Sequence, residues 1–430
     1  MKRTNVLVIG GGGREGSVSW KLLQSPQAGT IYVAPGNPGT AMMGCQNIPI
    51  QPTPDNFEIL ADIACHLNVG LVFIGPDSAL ASGIVRVFRN RGITTFGPEG
   101  AAVIEASKSY AKKLMSEAGI PTAPFEIFRD PNAAKEYARI KNGQVVVKAN
   151  GLCLGKGSFP CHNIKEAKEV IDDLLVKKVC GDAGRYIVIE DLLEGNEISV
   201  HVLCDGSETL MLPVLRDHKR LTSDPKSPMT GGMGVHGPID IDDNLASEIM
   251  TRIVEPCIEK LAEWNLPFVG CLYPGLMLTK DGPMVLEFNA RFGDPETQLY
   301  MRLLEDDVDL IEVFTACARG RLKGVDIRWK KKKGICITVA AEGYPDNPRK
   351  GDPLYGEIFD GSECGEPRIF HCGTAWKDGQ LLTNGGRVVS YTELFDPNSQ
   401  KISVQGAHFM IKKRVSFHGM QIRDDVGLVW

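Results

Sequence analysis

Four short apolar runs fall in the first hundred residues, at 6–9, 31–34, 71–74 and 94–96, and each stops at a Gly or a Pro. Between them, 17–24, 57–67 and 79–91 carry apolar residues at helical spacing. Apolar runs bounded by turn residues read as buried strands, and strands alternating with amphipathic helices bury their faces by laying helices over a parallel sheet. This part of the chain is expected to be an α/β unit. A further amphipathic helix over 101–118 is stopped by Gly119-Ile120-Pro121, a turn signal and a boundary.

Beyond that point the pattern changes. Strands are expected at 145–149, 187–193, 197–204, 209–215, 271–279 and 284–289, several joined by hairpin turns such as Asp205-Gly206 and Lys280-Asp281-Gly282. Helices at 164–178 and 243–264 interrupt them, which is α+β texture rather than a second wound sheet. The lysine run 330–333 reads as a solvated linker before a third region, with strands at 335–341, 371–376 and 387–391. No period of about 20–50 residues recurs, so a repeat architecture is not expected.

Composition narrows the function classes. The 48 basic and 53 acidic residues leave a net charge of −5 over 430 residues, which excludes a globally basic chain coating a polyanion but not a local phosphate site. No nucleic-acid partner is expected. No apolar stretch approaches the ~18 residues that span a bilayer, and 6–9 is too short for a signal-peptide core, so no membrane association is expected. The 12 cysteines are scattered singly with no C-x-x-C pair, which argues for reduced thiols in a cytoplasmic protein.

Gly11-x-Gly13-x-x-Gly16 directly follows the first strand, where glycines let backbone approach a phosphate at a helix N-terminus. A dinucleotide fingerprint also needs an acid about 20 residues on for the ribose hydroxyls. After Glu15 none occurs before Asp55, so a nicotinamide dehydrogenase is disfavoured. A cradle for another phosphate ligand and a plain tight turn both stand. Gly151-Leu-Cys-Leu-Gly155-Lys156-Gly157 is not a P-loop, because three residues separate its first glycines and Gly157 stands where a Ser or Thr would hold Mg²⁺. Lys148 and Lys156 on either side of it can clamp a polyphosphate; a hairpin with solvated lysines is the plainer reading. Glu190-Asp191-Leu192-Leu193 and Glu197 put acids around a buried strand end, either solvated or facing an adenine or ribose hydroxyl.

The most specific stretch is Leu286-Glu287-Phe288-Asn289-Ala290-Arg291-Phe292-Gly293-Asp294-Pro295-Glu296. Period-2 alternation places Glu287, Asn289 and Arg291 on one face. A carboxylate and an amide oxygen two residues apart are hard ligands suited to Mg²⁺, and Arg291 beside them can neutralise a transferring phosphoryl or acyl phosphate. Asp217-His218-Lys219-Arg220 before Thr230-Gly231-Gly232-Met233-Gly234 suits a small zwitterionic or phosphorylated substrate, against the default of a surface loop. Gly373-Thr374-Ala375 and Thr383-Asn384-Gly385-Gly386-Arg387 bracket a hairpin.

Taken together these motifs resemble the glycinamide ribonucleotide synthetases, the phosphoribosylamine–glycine ligases of the ATP-grasp superfamily, essentially end to end. The resemblance also rests on Gly-Gly-Gly-Arg14-Glu15, Pro35-Gly36-Asn37-x-Gly39-Thr40, Lys108 eleven residues before Gly119, and Val-Val-Val-Lys148-Ala. It implies an N-terminal Rossmann-like parallel-sheet domain over 1–104, and an α+β ATP-grasp domain over 105–328 with a mobile lid subdomain at about 122–192. A smaller, mostly β C-terminal domain over 329–430 completes it. By the same resemblance Lys108, Lys148, Glu190, Asp191, Leu192, Leu193 and Glu197 would hold ATP, with Lys156 on the lid. Glu287 and Asn289 would hold Mg²⁺ or Mn²⁺, while Arg291, Asp294, Asp217 and Lys219 would be the catalytic groups around an acyl phosphate. Gly12, Gly13, Arg14, Glu15, Asn37, Gly39 and Thr40 would face the phosphoribosyl group, with Thr374, Asn384, Gly386 and Arg387 from the C-terminal hairpin.

The implied reaction is ATP-dependent ligation of glycine to 5-phosphoribosylamine through glycyl phosphate, in purine biosynthesis, either by a free chain or within a larger multifunctional purine-pathway polypeptide. Departures from the family pattern are Gly16-Ser17 for His-Ala, Arg216 for Gln, Ser227-Pro228-Met229 for Gly-Pro-Asn, and Ile422-Arg423 for Tyr-Arg. They bear on substrate affinity more than on the reaction; the alternative they motivate is a degenerate, non-catalytic homologue acting as a binding or scaffold subunit.

Overall fold

A computed structural model of the chain describes residues 3–153, 157–356, 358 and 368–428. Its N-terminal sheet holds five parallel strands in the order Gln46–Asn47, Ala28–Pro35, Thr4–Gly10, Val69–Ile74, Thr94–Phe96. The chain reverses its direction of growth beside Thr4–Gly10, so the loops after that strand and after Val69–Ile74 flank a crevice at the carboxyl edge. Gly75 opens the second of these loops, and a Cβ there would lie 1.8 Å from Glu15 Oε1. Only glycine fits beside that buried carboxylate.

Helix boundaries moved where a local signal outweighed periodicity. The expected helix over 17–24 is Gly13–Leu22, beginning inside the glycine cluster with Glu15 in its first turn. The stretch 79–91 is two helices, Asp77–Ala81 and Ile84–Asn90, parted at Gly83 with φ +86. The expected helix over 101–118 breaks at Ser107, whose extended backbone and side chain cap Lys108–Glu117 by accepting from the Tyr110 N–H.

Two sheets build the centre. Phe125–Phe128, Ile187–Asp191, Gln144–Ala149 and Ser158–His162 form an antiparallel four-stranded sheet, packed on helices Pro131–Ile140 and Ile164–Ile171 through Ala134, Ala138, Val145, Val147 and Ile189. The second sheet is organised around the long strand Val269–Thr279, which pairs with Gly282–Asn289 on one edge. On its other edge the expected strand 197–204 is split into Asn196–Ser199 and Val202–Asp205. Register is continuous across the split, Ser199 facing Gly275 and Val202 facing Leu272, and the gap falls opposite Pro274, which has no N–H to give. The expected strand 209–215 is only Thr209–Met211. The helix over 243–264 runs on through a widened turn, Met250–Val254, just before Pro256.

The C-terminal sheet recruits two short strands from mid-chain that the sequence does not announce. Its order is Arg216–Asp217, Gly234–Gly237, Lys333–Ala340, Arg387–Phe395, Arg368–His371, with Gln421–Ile422 also on Lys333–Ala340. The expected strand 371–376 is divided at Cys372-Gly373 between Arg368–His371 and the hairpin Thr374–Lys377/Gln380–Thr383. A 15-residue helix, Gln400–Arg414, covers this sheet. The lysine run is not free linker: Lys330, Lys332 and Lys333 pair with Asp306, Asp396 and Asp240, and Lys333 begins a strand.

Contrary to the reading of all thiols as reduced, Cys153 and Cys180 are joined in a disulfide, bringing together residues 27 apart whose proximity only the folded topology reveals. Among the described residues no helix is long and apolar enough to cross a membrane. Phe73 stacks on Phe314 at 5.2 Å and Phe96 meets the same ring tilted at 4.4 Å, while Phe73 lies 6.1 Å from Phe292, so the N-terminal sheet is packed directly against the turn carrying Arg291.

Candidate active site

One cleft of about 600 Å³ opens where all these sheets meet. It brings together Lys108, Lys148, Glu190, Asp191, Leu192, Leu193 and Glu197 with Asp217, Lys219, Glu287, Asn289, Arg291, Asp294, Arg14, Gly386 and Arg387. These come from the N-terminal loop, both central sheets and the C-terminal hairpin, regions far apart in sequence.

At one end, Glu190 on the strand Ile187–Asp191 is 2 % exposed and ion-pairs with both Lys148 and Lys112. Lys148 also donates to Leu286 O at 2.8 Å and Lys112 to Thr122 Oγ1 at 2.7 Å. Burial pushes the Lys112 amine down to about 8, against the opposing pull of Glu190, and lowers that of Lys108. Three lysines are thus held in a desolvated pocket with one carboxylate between two of them, an excess of positive charge suited to phosphate.

In the middle, Glu287 and Asn289 end the strand Gly282–Asn289. Burial alone would raise the Glu287 carboxyl, but Lys219, Lys108, Lys148 and Arg291 overrule it and hold it down at about 2. Lys219 bridges Glu197 at 2.5 Å and Glu287 at 3.6 Å. The Asn289 amide oxygen accepts from Arg291 Nη2 at 3.2 Å, while its Nδ2 donates to Tyr273 O at 3.3 Å. An ionised carboxylate and an amide oxygen facing one cleft fit a divalent cation that keeps its other positions for phosphate and water. No cluster of three or more His, Cys, Asp or Glu able to cage a metal occurs among the described residues.

At the far end Asp294 accepts from Gln298 Nε2 at 2.8 Å and pairs with Arg387 at 3.3 Å; Arg387 and Arg14 hold its carboxyl below the usual range despite burial. Arg387 also donates to Gly231 O and Asp294 O, at 2.8 and 2.6 Å, clasping the C-terminal hairpin to two cleft loops. Asp217 is different. Its buried Oδ1 has no hydrogen-bond partner, and burial together with Glu296 raises its carboxyl well above the usual range. Gly232, with φ +113, lies so close that a Cβ would meet this oxygen at 2.9 Å.

The remaining residues of the sequence reading stand one layer behind the cleft. Glu15 accepts from the Gly12 N–H at 2.8 Å and Arg14 Nε at 2.6 Å, fixing the loop. Asn37 donates to Gly11 O and His371 O, both at 2.9 Å, and accepts from the Thr40 N–H at 3.0 Å. Gly39 is pressed against His371, whose Nδ1 meets Thr374 Oγ1 at 3.0 Å, and Asn384 N–H donates to Gly373 O. A Cβ on Gly13 would meet Gln298 Nε2 at 2.5 Å. Lys156 lies outside the described residues.

Several cleft residues escaped sequence reasoning. Lys112 is four residues after Lys108 on one helix, a spacing that puts both on one face. Glu105, Tyr273 and Tyr344 carry no such signal: Tyr273 donates to Glu296 Oε1 at 2.6 Å and Tyr344 accepts from the Gly231 N–H at 3.0 Å, contacts made only by the fold. Of the departures, Met229 lines the cleft, whereas Arg216 lies in the C-terminal sheet paired with His236.

Comparison with known proteins agrees with this layout. Family models for phosphoribosylglycinamide synthetase match the N domain over residues 4–105, the ATP-grasp (A) domain over 106–297 and the C domain over 334–429. The phosphoribosylamine–glycine ligase of Ralstonia nicotianae is 39% identical over 426 residues, covering 98% of each chain. A bifunctional purine biosynthetic protein of Pichia angusta is 42% identical over 92% of this chain, which spans 50% of that protein's length. Among solved structures, phosphoribosylamine–glycine ligase from Thermotoga maritima superposes with a TM-score of 0.82 at 30% identity, covering 98% of this chain and all of that one. A biotin carboxylase domain from Hydrogenobacter thermophilus shares the fold at 18% identity and a TM-score of 0.70. With three family models spanning most of the chain and relatives matched end to end, the protein belongs to the phosphoribosylglycinamide synthetase family.

Proposed function

We propose that this cleft ligates glycine to 5-phosphoribosylamine at the expense of ATP, giving glycinamide ribonucleotide, ADP and phosphate in purine biosynthesis. The observation that carries the reading is one continuous cleft with a lysine-rich end, the Glu287–Asn289 oxygen pair and Arg291 at its centre, and Arg14 with Arg387 at the other end. Relatives over the full length carry this activity in their names.

A glycine carboxylate oxygen attacks the γ-phosphorus of ATP, and the bond to the β-bridging oxygen breaks to release ADP. The amine of phosphoribosylamine then attacks the acyl carbon of glycyl phosphate; the C–O bond breaks, phosphate leaves and the amine loses a proton. Lys108 and Lys148 neutralise the polyphosphate, and Glu190 to Leu193 with Glu197 receive the nucleoside. Glu287 and Asn289 would hold Mg²⁺ or Mn²⁺, which would supply positive charge to the polyphosphate. Arg291 and Lys219 face the charge that develops on the transferring phosphoryl group, where desolvation strengthens their effect. Asp294 and Asp217 line the side where the two amines arrive: the carboxylate of Asp294 suits a cationic amine, and the unpartnered Oδ1 of Asp217 can accept an amine N–H. The four-stranded subdomain built on Gln144–Ala149 acts as the lid that keeps water from the acyl phosphate.

ADP release, followed with glycine and freshly generated phosphoribosylamine and with each omitted in turn, tests the reading. Release is expected only when both are present with a divalent cation. Equal release without either substrate, or none with both, overturns it.

A further inference from the structure

Arg291 is gripped from behind by a residue outside every motif that pointed to the cleft. Glu105, in the short helix Val103–Ala106, is 8 % exposed. Its Oε1 lies 2.8 Å from Arg291 Nη2, and its Oε2 accepts the Ala290 N–H at 2.7 Å. One carboxylate therefore fixes both the guanidinium and the backbone of the turn that bears it. The other contacts of Arg291 are weaker acceptors: Asn289 Oδ1 and Phe292 O, each at 3.2 Å. Arg14, in the first turn of the helix Gly13–Leu22, donates to that same Phe292 O at 3.1 Å. Two guanidiniums, one from the centre of the cleft and one from its Arg14–Arg387 end, thus share one carbonyl, with Glu105 as the buried anion beside Arg291.

We propose that Glu105 is a positioning residue for the ligation: it anchors Arg291 by one carboxylate oxygen and the Arg291 turn by the other, leaving the remaining guanidinium N–H groups aimed into the cleft. This rests on the ligase reading above. Both oxygens are needed as acceptors, because a buried N–H or guanidinium left facing a donor is costly. Glutamine offers one oxygen for two donors, so whichever way its amide turns, an NH₂ confronts either Arg291 or the Ala290 N–H. Arg291 then swings toward Asn289 and Glu287, the groups that would hold the cation. The break in the helix at Ser107 makes this arrangement possible, since the capped helix begins only at Lys108 and leaves Glu105 on a separate short turn against the strand end.

Glu105→Gln is predicted to lower kcat for ADP release with both substrates by about 10- to 100-fold while KM for ATP stays within about threefold of wild type. In an Arg291→Ala background the same change costs less than about twofold, because the residue it acts through is gone. Losses of equal size in the two backgrounds, or a Glu105→Gln kcat within about twofold of wild type, overturn the proposal. Glu105→Asp, which keeps the charge but is too short to span both donors, is the second variant and is expected to show the same split between kcat and KM. If neither variant gives a cooperative thermal melt, Glu105 is structural and the proposal falls. Wild-type enzyme runs in the same assay: absent turnover there strikes the ligase reading, whereas an active wild type with an unaffected Glu105→Gln strikes only this one.

Discussion

His218 lies between two lysine- and aspartate-bearing positions of the cleft, yet its ring turns inward. Its Nε2 is 2.9 Å from His236 Nδ1 on the neighbouring strand Gly234–Gly237. Burial pushes His218 down to about 4 and His236 to about 2, reinforced by Arg423 and Arg216 and opposed by Asp425, with His408 and Lys333 also facing the pair. Folded His218 binds a proton only below about 4, whereas the unfolded chain binds one below about 6.5. Stability is therefore full above 6.5 and is lost as pH falls through the window down to 4. His218 alone should cost on the order of 2 kcal/mol between pH 7 and pH 5. Thermal melts over that range should show Tm falling, and falling less in His218→Gln; an equal pH dependence in the two proteins contradicts this. The sequence singled out the Asp217-His218-Lys219-Arg220 motif but not the direction of each ring, because those directions are set by a two-residue strand, Arg216–Asp217, too short to leave a pattern. Glu287 and Arg291 were legible because period-2 alternation sets them on one strand face with Asn289, whereas Lys148 stood against a plainer solvated hairpin and Lys108 came only with the family resemblance. Glu105 was not legible: in an amphipathic helix it reads as a solvated acid.

Elements were legible where apolar periodicity was uninterrupted and not where a single residue overrode it. Ser107, Gly83 and Pro274 each ended an element that its neighbours would have continued. The helix Gln400–Arg414 escaped notice because Gly406 and its polar neighbours dilute the apolar stripe of Val404, Ala407 and Ile411. The same scale holds the disulfide. Cys153 lies in the glycine-rich loop that follows Gln144–Ala149, and Cys180 follows the helical segment packed on that sheet. Closing a loop of 27 residues restricts the unfolded subdomain by about 3.5 kcal/mol in the chain-entropy model. Adding dithiothreitol should lower Tm of the oxidised protein, and Cys153→Ser should melt at the reduced wild-type temperature with no further response to reductant. A wild-type melt indifferent to reductant contradicts the cross-link.

At the scale of the molecule, the cleft is a meeting of four sheets, none of which holds a complete site. The parallel sheet contributes Arg14 through a turn that only glycines permit, the central sheets contribute Lys148, Glu190, Glu287 and Asn289, the helix Lys108–Glu117 adds Lys108 and Lys112, and the C-terminal sheet contributes Asp217 and Arg387. Phe292 O, accepting from both Arg14 and Arg291, is the atom at which the centre of the cleft meets its Arg14–Arg387 end. The α/β and α+β textures could be read from the chain, but the recruitment of Arg216–Asp217 and Gly234–Gly237 into the C-terminal sheet could not, since two- and four-residue strands are defined by their partners. What this convergence claims chemically is that a carboxylate is phosphorylated at one end and handed to an amine at the other. Turnover with glycine labelled by ¹⁸O in both carboxylate oxygens tests that claim directly. One ¹⁸O is expected in each inorganic phosphate released, carried by the oxygen that bridged carbon and phosphorus. Phosphate free of label, with glycinamide ribonucleotide still formed, would contradict it.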